Sequence, residues 1–338
     1  MRVCYGILSS STDGKIVSQL ANSLGSSNIF VHHDFSQRPD FQLECGSNVV
    51  VLKDYVPTTW GGWSQAEAII RLMQFASQNA SFDYFQLLSE SCLPIRHVSE
   101  FETYLAESAP DACIGLIKLA GRANDVGTVN YAWRYFVKSK WARRMIGILA
   151  RACMDPGAVD DPSARTLIEG LSVVPIAKTG TKPQWWLRQS LLKAFLYFVR
   201  PAHPFNDGYH CYAGSTWLCL SRPVLEFVLD QLQQRPDLTA HFKYSRSPDE
   251  AIVHTIVGNA GLRKLSPINH FISWRERANG PDELTHAHVH DMAQSKRFFA
   301  RKFSKTASDS VRQHCLVAQA SPPNSVGALA NLNKAIPL

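Results

Sequence analysis

The first 116 residues alternate short apolar runs with amphipathic stretches, and this alternation constrains the fold more than any other feature. Arg2–Ser9 reads as a strand, Lys15–Leu24 as a helix through Ile16, Val17, Leu20 and Leu24, and Asn28–His32 as a second strand. Strand, helix, strand in this order favours a right-handed crossover and parallel pairing. Val49–Leu52, Tyr84–Leu88 and Ala112–Leu116 continue the strands. Trp63–Gln78, with Ala66, Ile69, Ile70 and Met73 on one side, and Val98–Leu105 continue the helices. The pattern predicts a doubly wound, Rossmann-like α/β fold with a mostly parallel sheet flanked by helices. Ligands of such sheets sit beyond the carboxyl ends of strands. Those ends hold Ser9-Ser10-Ser11, His32-His33-Asp34 and Ser89-Glu90-Ser91.

The later part returns to this pattern. Ser215–Leu220 reads as a strand, and Pro223–Gln233 and Pro248–Asn259 as helices. Ser247 is placed to cap the last of these, Pro248 fits its first position, and Asp249 and Glu250 fall in its first turn. The partial positive charge of a helix start favours carboxylates there. Such a carboxylate either faces a cleft and takes a proton or only complements the helix end. The middle, residues 122–206, is different: Trp133–Arg151 and Trp185–Arg200 are basic helical stretches rich in aromatic residues. They suit an anionic membrane surface, or a core-packed helix with a solvated basic face. The tail, 304–338, is polar and rich in small residues from Ser308 onward, which predicts a loose or surface-packed segment.

Composition narrows the function. Of 338 residues 45% are hydrophobic, which excludes a disordered chain, and the formal charge of +7 favours anionic partners. No apolar run is long enough to span a bilayer, and Met1–Leu8 is too short for a signal peptide. The expected location is therefore cytoplasmic, with peripheral contact at the inner face of the membrane. The eight cysteines form no C-x-x-C pair, which favours reduced thiols. Neither of the glycine-rich phosphate loops G-x-G-x-x-G and G-x-x-x-x-G-K-S/T occurs, nor a G-x-S-x-G elbow. No two aspartates stand two apart, so the aspartate pair that holds a divalent metal in many nucleotide-sugar transferases is missing. No nucleic-acid-binding motif is present, and no nucleic-acid partner is expected. His286, His288 and His290 alternate, and on an extended stretch they would share one face and could hold a metal.

Six segments carry a resemblance. They are Ile29-Phe30-Val31-His32-His33-Asp34, Val56-Pro57-Thr58-Thr59-Trp60-Gly61-Gly62-Trp63-Ser64 and Tyr84 to Ile95 with Ser89-Glu90-Ser91-Cys92-Leu93-Pro94-Ile95. Then come Gly214-Ser215-Thr216-Trp217-Leu218-Cys219-Leu220-Ser221-Arg222, Ser247-Pro248-Asp249-Glu250 with Thr255, and Phe299-Ala300-Arg301-Lys302-Phe303 after Trp274. In this order they resemble the core-2/I-branching β-1,6-N-acetylglucosaminyltransferase family, glycosyltransferase family 14, which includes the peptide O-xylosyltransferases. The chain looks like a bacterial-type member over residues 1–303, as a single catalytic domain with a helical insertion at 122–206.

The resemblance implies a GT-A glycosyltransferase fold and an EC 2.4 activity. It implies inverting transfer from a UDP-sugar, without metal or other cofactor, to a hydroxyl of a glycan or lipid-linked glycan. N-acetylglucosamine is the favoured sugar, with xylose and glucuronate as alternatives. The alternative function is a non-catalytic sugar-nucleotide or glycan-binding protein with the same fold. Glu250 falls on the family's catalytic base and Lys302 on its diphosphate-binding lysine. The family's arginine upstream of that lysine has no clear match, so Arg275 or Arg277 is assigned by loop position. Asp34, Ser9 and Trp60 complete the expected donor side, and Glu90, Trp217 and Asp249 the acceptor side. Two departures stand in the third segment: Glu90 replaces the family's glycine and Cys92 its aspartate.

Overall fold

The computed structural model describes residues 1–10, 14–119, 204–205, 208–243, 245, 247–274, 280–304 and 308–320. Apart from 204–205, the expected insertion at 122–206 lies outside the described residues, as do Arg275, Arg277 and the last part of the tail. The strands are β1 (Val3–Ser9), β2 (Asn28–His33), β3 (Val49–Val51), β4 (Tyr84–Ser89), β5 (Leu93–Pro94) and β6 (Ala112–Cys113). They continue with β7 (Ile117–Lys118), β8 (Tyr212–Ala213), β9 (Cys219–Ser221), β10 (Leu265–Ser266), β11 (His270–Ile272) and β12 (Phe299–Arg301). The helices are α1 (Gly14–Ser23), α2 (Trp63–Asn79), α3 (Val98–Ser108), α4 (Arg222–Gln234), α5 (Pro236–Phe242), α6 (Ile252–Asn259), α7 (Val289–Gln294) and α8 (Asp309–Ala320).

The main sheet has the order β10-β6-β9-β4-β1-β2-β3. Strands β3, β2, β1 and β4 are parallel, β10 is parallel to β6, and β9 alone runs against its neighbours. This is the mixed α/β fold with a mostly parallel sheet that the alternation predicts. Alternate residues of β1, β2 and β4 serve two cores. Phe30, Phe85 and Leu87 pack with Ile69, Leu72 and Met73 of α2, Leu225 and Val228 of α4, and Ile252 and Ile256 of α6. Tyr5, Ile7, Val31 and Leu88 pack on the other side with Val17 and Leu20 of α1, Phe101 and Leu105 of α3, Met292 and Val311. Burial on both faces is why these strands read as nearly continuous apolar runs. Each fully buried Leu or Phe side chain contributes about 1.5–3 kcal/mol.

A second sheet, β11-β12-β5, is tied to the first through a buried amide pair. Gln86, on β4, donates to the carbonyl of Leu218 at 3.1 Å and accepts from Nδ2 of Asn269 at 2.9 Å. The Asn269 carbonyl then accepts from the backbone N–H of Phe298 and Phe299. One pair of amides therefore fixes where β11 begins and where β12 begins.

Three expectations change. The helix expected over Pro248–Asn259 is split into a single 3-10 turn, Pro248–Glu250, and α6. Ser247 makes no side-chain cap; it adopts a left-handed φ of 50°. The loops on either side explain this. The Ser247 N–H donates to the Gly61 carbonyl at 2.8 Å, and the Glu250 carbonyl accepts from the Gly214 N–H at 2.9 Å rather than from the next helical turn. The strand expected over Ser215–Leu220 enters the sheet only at Cys219–Ser221. The tail is not loose throughout: α8 docks through Val311 and Cys315, both fully buried and one turn apart, and Arg312 reaches Gln19 at 3.2 Å. A short apolar stripe in a tail that is otherwise polar and rich in small residues is easily missed by composition.

Gly214 has no room for a side chain. A Cβ there would stand 2.0 Å from the Gly115 carbonyl oxygen and 2.7 Å from the His254 ring. Gly214→Ala is expected to destabilise the fold by roughly 1–3 kcal/mol, since backbone must move to admit the methyl. A urea titration measures it; an unchanged midpoint would contradict the packing described.

Candidate active site

The 3-10 turn, the loop before β9, and strands β11 and β12 enclose a cleft of about 840 Å³. Glu250 lines it, together with Thr216 and Trp217 from the loop, His270 and Ile272 from β11, and Arg301 at the end of β12. Trp60 and Trp274 stand on it as largely exposed indoles, 70% and 60% accessible, whereas Trp217 is 8% accessible. Exposed indole faces suit the apolar faces of sugar rings. Gly61, next to Trp60, has a φ of 68°, a left-handed conformation that glycine adopts at no steric cost.

Arg301 supplies the positive charge. Its guanidinium lies over the Trp217 ring at 4.4 Å and bonds to the Cys92 thiol. Burial lowers its pKa, and the nearby charge of Glu250 works against that shift. An arginine stays charged through such a change. Cys92 is itself buried, which raises its thiol pKa, and it is held by the backbone N–H of Ser89 at 3.3 Å.

Asp249 lies behind Glu250 and not on the cleft. Its Oδ2 accepts from the Thr216 hydroxyl at 2.9 Å, and its buried Oδ1 has no partner among the described residues. Burial, then repulsion from Glu250, pushes its carboxyl from 3.8 up to about 7.

A family model described as "Branch: Core-2/I-Branching enzyme" matches residues 22–121 and 173–297. The chain belongs to the Core-2/I-Branching enzyme family. Two curated relatives come from Arabidopsis thaliana. Beta-glucuronosyltransferase GlcAT14A is 30% identical over 120 residues, 33% of this chain and 26% of that protein. Beta-glucuronosyltransferase GlcAT14B is 28% identical over 118 residues, 33% of this chain and 27% of that protein. The chain thus spans about a quarter of the length of these relatives. Among solved structures, mouse xyloside xylosyltransferase 1 in its apo form covers 90% of this chain and 99% of its own, at 10% identity and a TM-score of 0.31.

The family's motifs fall unevenly on the cleft. Glu250, Trp60 and Trp217 meet there. Lys302 does not: its side chain is exposed, and the cation that this motif places on the cleft is its neighbour Arg301. The pattern Phe299-Ala300-Arg301-Lys302-Phe303 carries a signal for this. Residues two apart on an extended segment share a face, so Arg301 sides with the buried Phe299 and Phe303. Arg297 and His270 are further cleft residues that the motifs did not point to. Arg297 bonds through its guanidinium to the Ile268 carbonyl.

Asp34, expected on the donor side, is fully buried and already supplied with donors. Ser36 N and Oγ, Gln37 Nε2, and Thr58 N and Oγ1 all donate to its carboxylate. Burial alone would raise its pKa, but these bonds outweigh it and hold the carboxyl well below the usual range. Asp34 clamps the loop at Thr58 to the end of β2. Ser9 donates to Glu90 at 2.8 Å, as does the Ser10 N–H, so these two expected contacts join the ends of β1 and β4. The three histidines lie on a 3-10 turn and the start of α7 rather than on an extended stretch. They do not share one face: His288 caps Thr285, and His286 meets Ser310 at 2.8 Å. No helix among the described residues is long and apolar enough to cross a membrane.

Asp249 yields a pH test. A carboxyl that holds its proton more tightly when folded favours folding while protonated. That contribution is complete below about pH 4 and is lost as pH rises through about 7. Asp249→Asn keeps an acceptor for Thr216 and never ionises. The variant is expected to melt at a higher temperature than the parent chain at pH 8 and at the same temperature at pH 4. A parent chain more stable than the variant at pH 8 would contradict the buried carboxyl.

Proposed function

We propose that this chain is an inverting glycosyltransferase that moves a sugar from a UDP-sugar to a hydroxyl of a glycan or lipid-linked glycan. The observation that carries the proposal is the meeting of Glu250 and Arg301 in one cleft walled by three indoles. Glu250 takes the proton from the acceptor hydroxyl as its oxygen attacks the anomeric carbon. The attack comes from the face opposite the leaving UDP, which gives a β-linkage. The transition state carries oxocarbenium character, as in other glycosyl transfers.

Arg301 receives the charge that develops on the departing diphosphate, and a guanidinium is suited to phosphate oxygens. Lys302, exposed beside it, and Arg275 or Arg277 supply further cations on the donor side. With no aspartate pair in the sequence to hold a divalent ion, fixed cations carry this role. Trp60 and Trp274 form the rim on which the sugars stack. N-acetylglucosamine, xylose and glucuronate are the donor sugars considered, and the printed names of the two Arabidopsis relatives favour testing UDP-glucuronate alongside UDP-N-acetylglucosamine. Peripheral contact with an anionic membrane is part of the same proposal, through the basic stretch at 122–206.

The test is a panel of UDP-sugars scored by UDP release, with and without EDTA. Release that survives EDTA is expected, and its loss would overturn metal-independent transfer. Glu250→Gln should lower turnover by about 10²–10⁴-fold while UDP affinity stays within about twofold. Turnover unchanged in the variant would remove Glu250 as the base. A parent chain that binds UDP and never turns over would favour a binding protein.

A further inference from the structure

The transfer scheme leaves one buried side chain of the cleft unused. His270 opens β11, is 2% accessible, and lines the cleft beside Arg301. Its ring stacks on Phe299 at 5.5 Å and lies 6.0 Å from Trp217. Neither ring nitrogen has a hydrogen-bond partner among the described residues, and Nε of Arg301 is in the same state. Buried polar atoms are almost always paired, because an unpaired one has given up its water for nothing. Two such side chains on one cleft wall offer hydrogen-bonding atoms to a ligand of the cleft.

The chemistry of that group follows from the two side chains. Burial first, and the Arg301 charge second, push the pKa of His270 down to about 3, so the imidazole is neutral at physiological pH. A neutral imidazole has one N–H to donate, and the Arg301 Nε has another. A sugar hydroxyl would leave the guanidinium charge uncompensated. An oxyanion accepts both donors and supplies the opposing charge.

We infer that His270 is a ligand-binding residue whose ring N–H, together with Nε of Arg301, donates to a phosphate oxygen of a nucleoside diphosphate in the cleft. This rests on the reading of the cleft as a nucleotide-sugar site. Both ring nitrogens are buried in this structure, so the proposed contact requires the imidazole to turn toward the cleft as the diphosphate enters.

Titration calorimetry with UDP tests the assignment on the parent chain, His270→Phe and His270→Gln. The Phe variant keeps the stacking on Phe299 and loses the donor. It should bind UDP at least tenfold more weakly, a loss of about 1.4 kcal/mol. The Gln variant restores an N–H and should stay within about threefold of the parent. In ¹⁵N spectra of the parent chain labelled at histidine, the His270 ring resonances should move on addition of UDP. This second measurement decides the matter if the Phe variant does not fold. Parent-level affinity in the Phe variant, or unmoved ring resonances in a parent chain saturated with UDP, would overturn the inference and leave the function proposal standing. A parent chain that binds no UDP would overturn both.

Discussion

A guanidinium withdrawn from water must be met by something, and Arg301 is met sparingly. It has the face of Trp217 at 4.4 Å, the Cys92 thiol, and the more distant charge of Glu250. Among the described residues it forms no ion pair. Partial burial of a charge without a carboxylate partner is costly, and the cost falls when an anion arrives. The position where the family has an aspartate is Cys92 here, so the residue that touches the guanidinium is neutral. The positive charge is left facing the cleft.

The scaffold delivers that charge and the carboxylate to the same place by two routes. Glu250 is held by its own backbone: the Gly214 N–H takes its carbonyl, and the turn leaves the helix that would otherwise bury it. Arg301 is held by β12, whose start is fixed by Asn269, which is fixed in turn by Gln86 at the centre of the main sheet. A parallel sheet packed on both faces is stiff enough to hold both. The close fit of Gly214 against Gly115 and His254 leaves the turn little freedom. Asp34 and the Ser9–Glu90 pair do comparable work at the ends of β1, β2 and β4, where they close loops onto the sheet.

Much of the fold was legible because burial on both faces writes itself into the sequence. Tyr84–Ser89 is buried at all six positions, and no loop or surface helix reads that way. That Glu250 stands where a loop enters a helix was legible, because Ser247-Pro248-Asp249-Glu250 is a local helix-start pattern. Its exact backbone was not, since the bonds that reshape the turn come from Gly61 and Gly214, far away in the chain. The same limit applies to the rest of the cleft. His270 takes its character from Trp217, Phe299 and Arg301, and nothing in its immediate neighbours announces a buried, unpartnered imidazole. Arg301 stood beside Lys302 in one motif, and only the alternation of Phe299 and Phe303 separated them. Helix α8 was hidden because its short apolar stripe stands in a tail that is otherwise polar and rich in small residues.

The central claim is that one cleft places the leaving diphosphate on Arg301 within reach of the carboxylate that activates the acceptor. A crystal structure with UDP bound measures this most directly. The account predicts phosphate oxygens about 3 Å from the Arg301 guanidinium, with Glu250 open to the space beyond the terminal phosphate. A pyrophosphate bound outside the cleft, with Arg301 still resting on Cys92 and Trp217 alone, would contradict it.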